Sequence, residues 1–261
     1  MTPTFTFCTV SANNNSRKNN YIKAGQYCVD SILKFSKQKV TIVTNQKDSF
    51  SNFEVNRTNI IDTEENNISV ICGGKPGARG FNMNMKLHAI KHASKLNTDF
   101  VVYMDCDGYL KDCWSDEIAK DHFNKFLIKP NLDSVQVTIY NAGPVMDRFH
   151  QGKGHPHPWA HVFNHLGYEN RPSGRCPQET LLIYKNNDKL KKMLDYWETF
   201  EKKALELNIK TAFIAIPIGV AQNKAEIKFV EYGRRKTWCN FLKGMGLWNL
   251  GKHGPIIGRV C

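Results

Sequence analysis

The chain of 261 residues carries 36 Lys and Arg against 24 Asp and Glu, a formal net charge of +12, with 41% hydrophobic and 23% charged residues. That balance belongs to a globular chain able to bury a sizeable core; it excludes a disordered polyelectrolyte, and no run approaches the roughly 18 apolar residues that a membrane-spanning helix needs. The basic excess points to an anionic partner rather than to any particular fold.

The first segment, MTPTFTFCTVSANNN, has neither the basic start nor the long apolar run of a secretory leader. Phe5 to Val10 instead predicts a buried strand that stops at a polar loop, and the expected location is cytoplasmic. Cysteines at 8, 28, 72, 106, 113, 176, 239 and 261 form no C-x-x-C pair and lie mostly within apolar patterns, so reduced, buried thiols are expected. From Tyr21 to Phe35 the residues Tyr21, Gly25, Cys28, Val29, Ile32 and Phe35 recur with helical spacing, and Val40 to Thr44 predicts a second strand. The order strand, helix, strand with short links predicts a parallel sheet covered by helices.

Ile60 to Asp62 and Ser69 to Cys72 continue the alternation, followed by a glycine-rich turn at Gly73, Gly74 and Gly77. A helix from about Phe81 to Leu96 leads into a strand from Phe100 to Met104, and Ser134 to Tyr140 alternates like a half-exposed strand. Asn141 to Pro177, rich in Gly, Pro and His, reads as a long loop region, and loops of that length usually serve function. Thr180 to Tyr184 predicts another strand, and Lys189 to Leu207 a helix whose Leu190, Met193, Leu194, Trp197, Glu201, Ala204 and Leu205 form a core stripe.

Chemistry concentrates in FVVYMDCDGYL, Phe100 to Leu110. In an extended strand residues i and i+2 share a face, so Asp105 and Asp107 are expected to converge while Cys106 turns to the core. Two adjacent carboxylates repel unless a cation joins them, and an all-oxygen pair suits Mg²⁺ or Mn²⁺ rather than zinc. Such an ion bridges naturally to a diphosphate.

The block MNMKLHAIKHASKLNTDFVVYMDCDGYL resembles the core of the GT-A glycosyltransferases, in which a Lys-bearing helix precedes an apolar strand and the D-x-D motif. FTFCTVSANN is similar to the first strand of that family, and ETLLIYKNNDKLKKMLDYWETF to its segment after the acceptor loops. The resemblance implies an α/β, Rossmann-like domain over residues 1–261 with a mixed, mostly parallel sheet, residues 1–110 binding the nucleotide-sugar and 111–261 the acceptor. It implies sugar transfer from a nucleotide-sugar, a UDP-sugar above all, with Mn²⁺ or Mg²⁺. Asp107 then matches the principal metal ligand, Asp105 the motif acid that meets ribose or a metal-bound water, and Lys86 the basic residue near the donor. The exit of the first strand, Thr9, Val10 and Ser11, matches the segment holding the nucleotide base. A C-terminal His ligand of many members matches His253, and Lys252 beside it is placed to neutralise the leaving diphosphate.

For the base that an inverting transfer requires, Glu179 at the end of the long loop is the candidate, with Asp147 and Glu169 as rivals. His150, His155, His157 and His161 match no standard zinc spacing, and the loop around them reads as an acceptor site with Trp159 as stacking platform. From Lys224 onward eight basic residues stand against two acidic ones, interleaved with Trp238, Phe241 and Trp248. Arg234, Arg235 and Lys236 are therefore expected to meet a polyanionic acceptor, DNA with hydroxymethylated bases in the first instance, with a cytoplasmic glycan or lipid-linked precursor as the other class. A nucleotidyltransferase would need a phosphate-cradling glycine loop near the N-terminus, where this chain is Asn-rich, and a non-catalytic nucleic-acid module would leave the paired acids unexplained.

Overall fold

The computed structural model describes residues 4–12, 21–66, 68, 83–112, 114–127, 132–136, 138–141, 158–168, 173–179, 181–209, 214–231 and 247–249. Its centre is a seven-stranded sheet built from β1 (Phe5–Ser11), β2 (Val40–Thr44), β3 (Thr58–Asp62), β4 (Phe100–Met104), β6 (Ser134–Gln136), β9 (Leu181–Lys185) and β10 (Phe229–Glu231). The spatial order is β10-β6-β9-β4-β1-β2-β3. All neighbours are parallel except β9, which runs antiparallel to both β4 and β6. The expected α/β class and mixed, mostly parallel sheet are therefore present.

Helices cover both faces. α1 (Tyr21–Phe35) and α3 (Asp116–Leu127) lie on one, and α2 (Met83–Ser94), α4 (Pro158–His165), α5 (Asp188–Glu206) and α6 (Ala215–Lys224) on the other. The period-two alternation of strands divides the core between them: in β4, Val101 and Tyr103 face the α2 side, Phe100, Val102 and Met104 the α1 side. With both faces covered, every residue of β1, β2 and β4 is buried, which is why these strands read as continuous apolar and Thr-rich runs. Cys8, Cys28, Cys106 and Cys176 are buried free thiols, as expected for those four.

Two short ladders complete the fold. β5 (Gly108–Leu110) pairs with β11 (Leu247–Asn249), and β7 (Thr138–Asn141) with β8 (Arg175–Pro177). This corrects the single half-exposed strand expected over Ser134 to Tyr140. Ser134, Val135 and Gln136 are all buried in the main sheet, whereas Thr138 onward belongs to a different ladder. The polar positions that mimicked a solvent face are internal: the Gln222 amide donates to Gln136 Oε1 at 2.8 Å and to the Tyr184 hydroxyl at 2.7 Å. The expected loop from Asn141 to Pro177 is likewise interrupted by α4, whose Trp159, Ala160, Val162 and Phe163 are core residues. In α5 Phe200 joins the expected stripe, while Leu205 is exposed. The stretches Ser69 to Cys72 and Gly73 to Gly77 lie outside the described residues.

Candidate active site

After β3 the chain crosses to the other side of β1, so β1 is flanked by β2 on one side and β4 on the other. The carboxyl ends of β1 and β4 meet at this reversal, the place where open α/β sheets bind their ligands. Asp105 follows β4 directly, at that edge.

Asp105 and Asp107 are not consecutive positions of one face of an extended strand, as the sequence suggested. Asp105 to Gly108 form a tight turn closed by the Gly108 N–H donating to the Asp105 carbonyl at 2.8 Å. Cys106 is buried beneath the turn as expected, and both acids are partly exposed. A Cβ at Gly108 would lie 2.7 Å from Met104 Cγ and 3.1 Å from the Asp105 carbonyl oxygen, so the turn closes against its own strand only with glycine there. The far end is anchored too: the Leu110 N–H donates to Ser31 Oγ of α1 at 3.0 Å, and Tyr27 meets Tyr109 edge-on at 5.4 Å. Both acids thus sit on backbone held at each end.

Lys86 arrives from α2. A crossover helix between parallel strands runs back along the sheet, so its first turn lies at the carboxyl edge, and Lys86 is in that first turn. Its side chain is buried and its ammonium pairs with Asp105 Oδ1 at 2.7 Å. Glu179 arrives because β9 is antiparallel: the register Met104 opposite Leu181 puts the entry to β9 beside the exit of β4. Its Oε2 lies 3.5 Å from Lys86 Nζ, closing a gap of 93 positions in sequence. Tyr103, which sequence reasoning did not single out, donates its hydroxyl to Asp105 Oδ1 at 2.7 Å, and its ring lies 5.2 Å from Lys86 Nζ. The signal for it was available: it lies two positions before Asp105, near the end of the strand that delivers that acid.

Burial drives the electrostatics. Asp107 is pushed up to about 6 by burial and by the Asp105 charge, with Lys86 offsetting part of the rise. Glu179 is raised by burial, offset by the Lys86 ammonium and by a hydrogen bond from the Ala215 N–H at the start of α6. Burial opposes the charge on Lys86, but the Asp105 and Glu179 carboxylates outweigh it and hold the amine firmly protonated. The thiols of Cys8 and Cys106 are raised by burial, and that of Cys28 to about 12, so these sulfurs stay protonated and unreactive at neutral pH.

The donor set suits a hard cation. The Tyr103 and Lys86 contacts both fall on Asp105 Oδ1, and among the described residues Oδ2 accepts no hydrogen bond. Asp107 is close enough to feel the charge of Asp105, and both offer oxygen alone. Among the described residues no group of three or more His, Cys, Asp or Glu side chains is arranged to hold an ion, so Asp105 and Asp107 supply at most part of a coordination shell.

The other expected site residues fare differently. Thr9, Val10 and Ser11 are buried, and Ser11 Oγ donates to the Tyr21 carbonyl at 2.9 Å. Trp159 is 0% exposed and stacked on Phe163 at 6.0 Å, which corrects its assignment as an acceptor platform. His161 is exposed on α4. Lys252, His253, Arg234, Arg235, Lys236, Asp147, Glu169, His150, His155 and His157 lie outside the described residues. No helix among the described residues is long and apolar enough to cross a membrane. No protein-family model matches the chain, and no curated protein matches it either.

Proposed function

We propose that the chain is a glycosyltransferase that moves a sugar from a nucleotide-sugar, a UDP-sugar above all, to an acceptor hydroxyl, with Mn²⁺ or Mg²⁺ held at Asp105 and Asp107. The observation that carries this reading is the meeting of Lys86, Asp105 and Glu179, from three separate elements, beside Asp107 at the sheet's reversal point. When bound, a hard divalent cation supplies charge neutralisation for the departing diphosphate.

The chain's own residues divide the remaining work. Asp107 is the principal oxygen ligand and Asp105 the second. Lys86 keeps its proton and adds a fixed positive charge on the donor side of the acids. Glu179, raised in pKa and partly exposed, is suited to take the proton of the acceptor hydroxyl in an inverting transfer, because a base is most effective when its pKa approaches the working pH. The ladder of β11 on β5 sets Asn249 opposite Gly108. His253 follows four residues later in the sequence and is assigned as a further ligand on the family resemblance. The acceptor side is assigned to a polyanion, hydroxymethylated DNA in the first instance, on the net charge of +12.

Thermal melting with Mn²⁺ and a panel of nucleotides and nucleotide-sugars tests the reading, since a ligand that binds only the folded chain raises its midpoint. A rise with one nucleotide-sugar that depends on the metal supports it. Stabilisation by a nucleoside triphosphate, with none by any nucleotide-sugar, would overturn it in favour of nucleotidyl transfer.

A further inference from the structure

Among the described residues Asp105 is gripped on one oxygen only. The Tyr103 hydroxyl and the Lys86 ammonium each approach Oδ1 to 2.7 Å, from the strand below and from α2 beside it. Tyr103 is almost wholly buried, and its ring is the surface over which the lysine ammonium lies at 5.2 Å. Lys86 is also buried and has a second carboxylate, Glu179, at 3.5 Å. The grip is therefore made of side chains locked by packing, and Asp105 itself is partly exposed.

A carboxylate has about four lone-pair positions over two oxygens, and two strong donors on one oxygen leave the other as its available acceptor. From this geometry we infer that Tyr103 is a positioning residue. With Lys86 it commits Oδ1 to the protein, turns the carboxylate plane, and presents Oδ2 to the cation as a single-oxygen ligand. The inference rests on the proposed cation site and adds the group that orients its second ligand. Lys86 alone would not fix the plane, because an ammonium is a point charge with three equivalent donors and no preferred plane, whereas the phenol donates a single hydrogen from the end of a rigid, packed ring. The hydroxyl also acts oppositely to the ammonium: it orients the acid without adding a net positive charge beside the cation.

Tyr103→Phe removes the one hydroxyl and keeps the packed ring. Mn²⁺ is titrated into the full chain, alone and with UDP, and free Mn²⁺ is followed by electron paramagnetic resonance beside a metal-free thermal melt. Loss of a group that orients a ligand weakens metal binding by about tenfold or more, and that is the expected result for Tyr103→Phe, in both titrations. A merely structural hydroxyl would lower the melting midpoint and leave the Mn²⁺ affinity unchanged. Unchanged affinity in a variant that melts cooperatively overturns the inference while the cation site stands. If the native chain itself binds no Mn²⁺, with or without UDP, the cation site fails first and the positioning role with it.

Discussion

Asp116 and the Asp105–Asp107 pair are partly or wholly enclosed carboxylates on the same chain, and the structure treats them in opposite ways. Asp116 accepts four hydrogen bonds, two on each oxygen: from Ser36 Oγ at 2.7 Å and Trp114 Nε1 at 2.8 Å, and from the Lys37 N–H at 2.9 Å and Gln38 Nε2 at 3.0 Å. Burial raises its pKa, but these donors outweigh burial and the net shift is downward. Asp107 ends on the other side, near 6, and feels the charge of the Lys86 ammonium, which is itself paired with Asp105 and Glu179. A carboxylate whose lone pairs are filled by the fold is a tie between elements, here the α1–β2 link and the start of α3. The Asp105–Asp107 pair instead lies with Glu179 around one ammonium, and burial together with the Asp105 charge raises the Asp107 carboxyl.

The sharpest break in this contrast comes from exchanging the two kinds of acid for alanine. Asp107→Ala is expected to lower metal-dependent transfer or donor hydrolysis by about a thousandfold, roughly 4 kcal/mol of lost stabilisation, with an unaltered melting curve. A folded Asp107→Ala chain with full activity in EDTA would sink the cation site. Asp116→Ala is expected to do the reverse. It strands four donors and costs about 3 kcal/mol in a denaturant titration, while Mn²⁺ affinity at low denaturant stays native. Equal losses of metal affinity in the two variants would erase the distinction.

Glu201 offers a third, apolar setting for an acid. It is 7% exposed in the α5 core, takes a hydrogen bond from Trp197 Nε1 at 3.0 Å, and is moved by burial from 4.5 to about 7. Because the folded pKa is the higher one, its contribution to stability is complete below about pH 4.5 and is lost as pH rises toward 7. Glu201→Gln should remove that fall, with a gain on the order of 3 kcal/mol over the native chain above pH 7. Asp116, with its pKa depressed, should contribute stability above its ordinary 3.8 and lose it as pH falls below. Denaturation profiles of the two variants across pH that share one sign would contradict this assignment of environments. The smallest effect belongs to Lys47→Ala. Its pair with Glu65 has the same 2.7 Å separation as Lys86 with Asp105, but both side chains are exposed, so no change in stability is expected at physiological salt. A measurable loss there would mean that separation rather than burial sets the value of a pair.

Much of the fold was legible where one local rule dominates. α1 spans Tyr21 to Phe35 as its periodicity indicated, and β4 spans Phe100 to Met104, because a buried strand ended by an acidic turn with glycine has few alternatives. Reading failed where tertiary burial overrides local pattern. Ser134 to Gln136 alternate like a surface strand, yet the polar side chains find partners inside the core. Trp159 sits in a Gly-, Pro- and His-rich stretch that looks like loop, yet a single short helix carries it into the centre of one hydrophobic layer.

The sequence by itself determined that an apolar strand delivers two acids beside a glycine, and that a lysine-bearing helix precedes it, since both follow from short-range spacing. Only the tertiary structure decided which groups those acids meet. Lys86 reaches Asp105 because a crossover helix doubles back to the carboxyl edge. Glu179 reaches Lys86 because β9 enters the sheet antiparallel, placing its start beside the end of β4. Strand direction is set by long-range pairing and burial across the whole sheet, and no local run of residues encodes it.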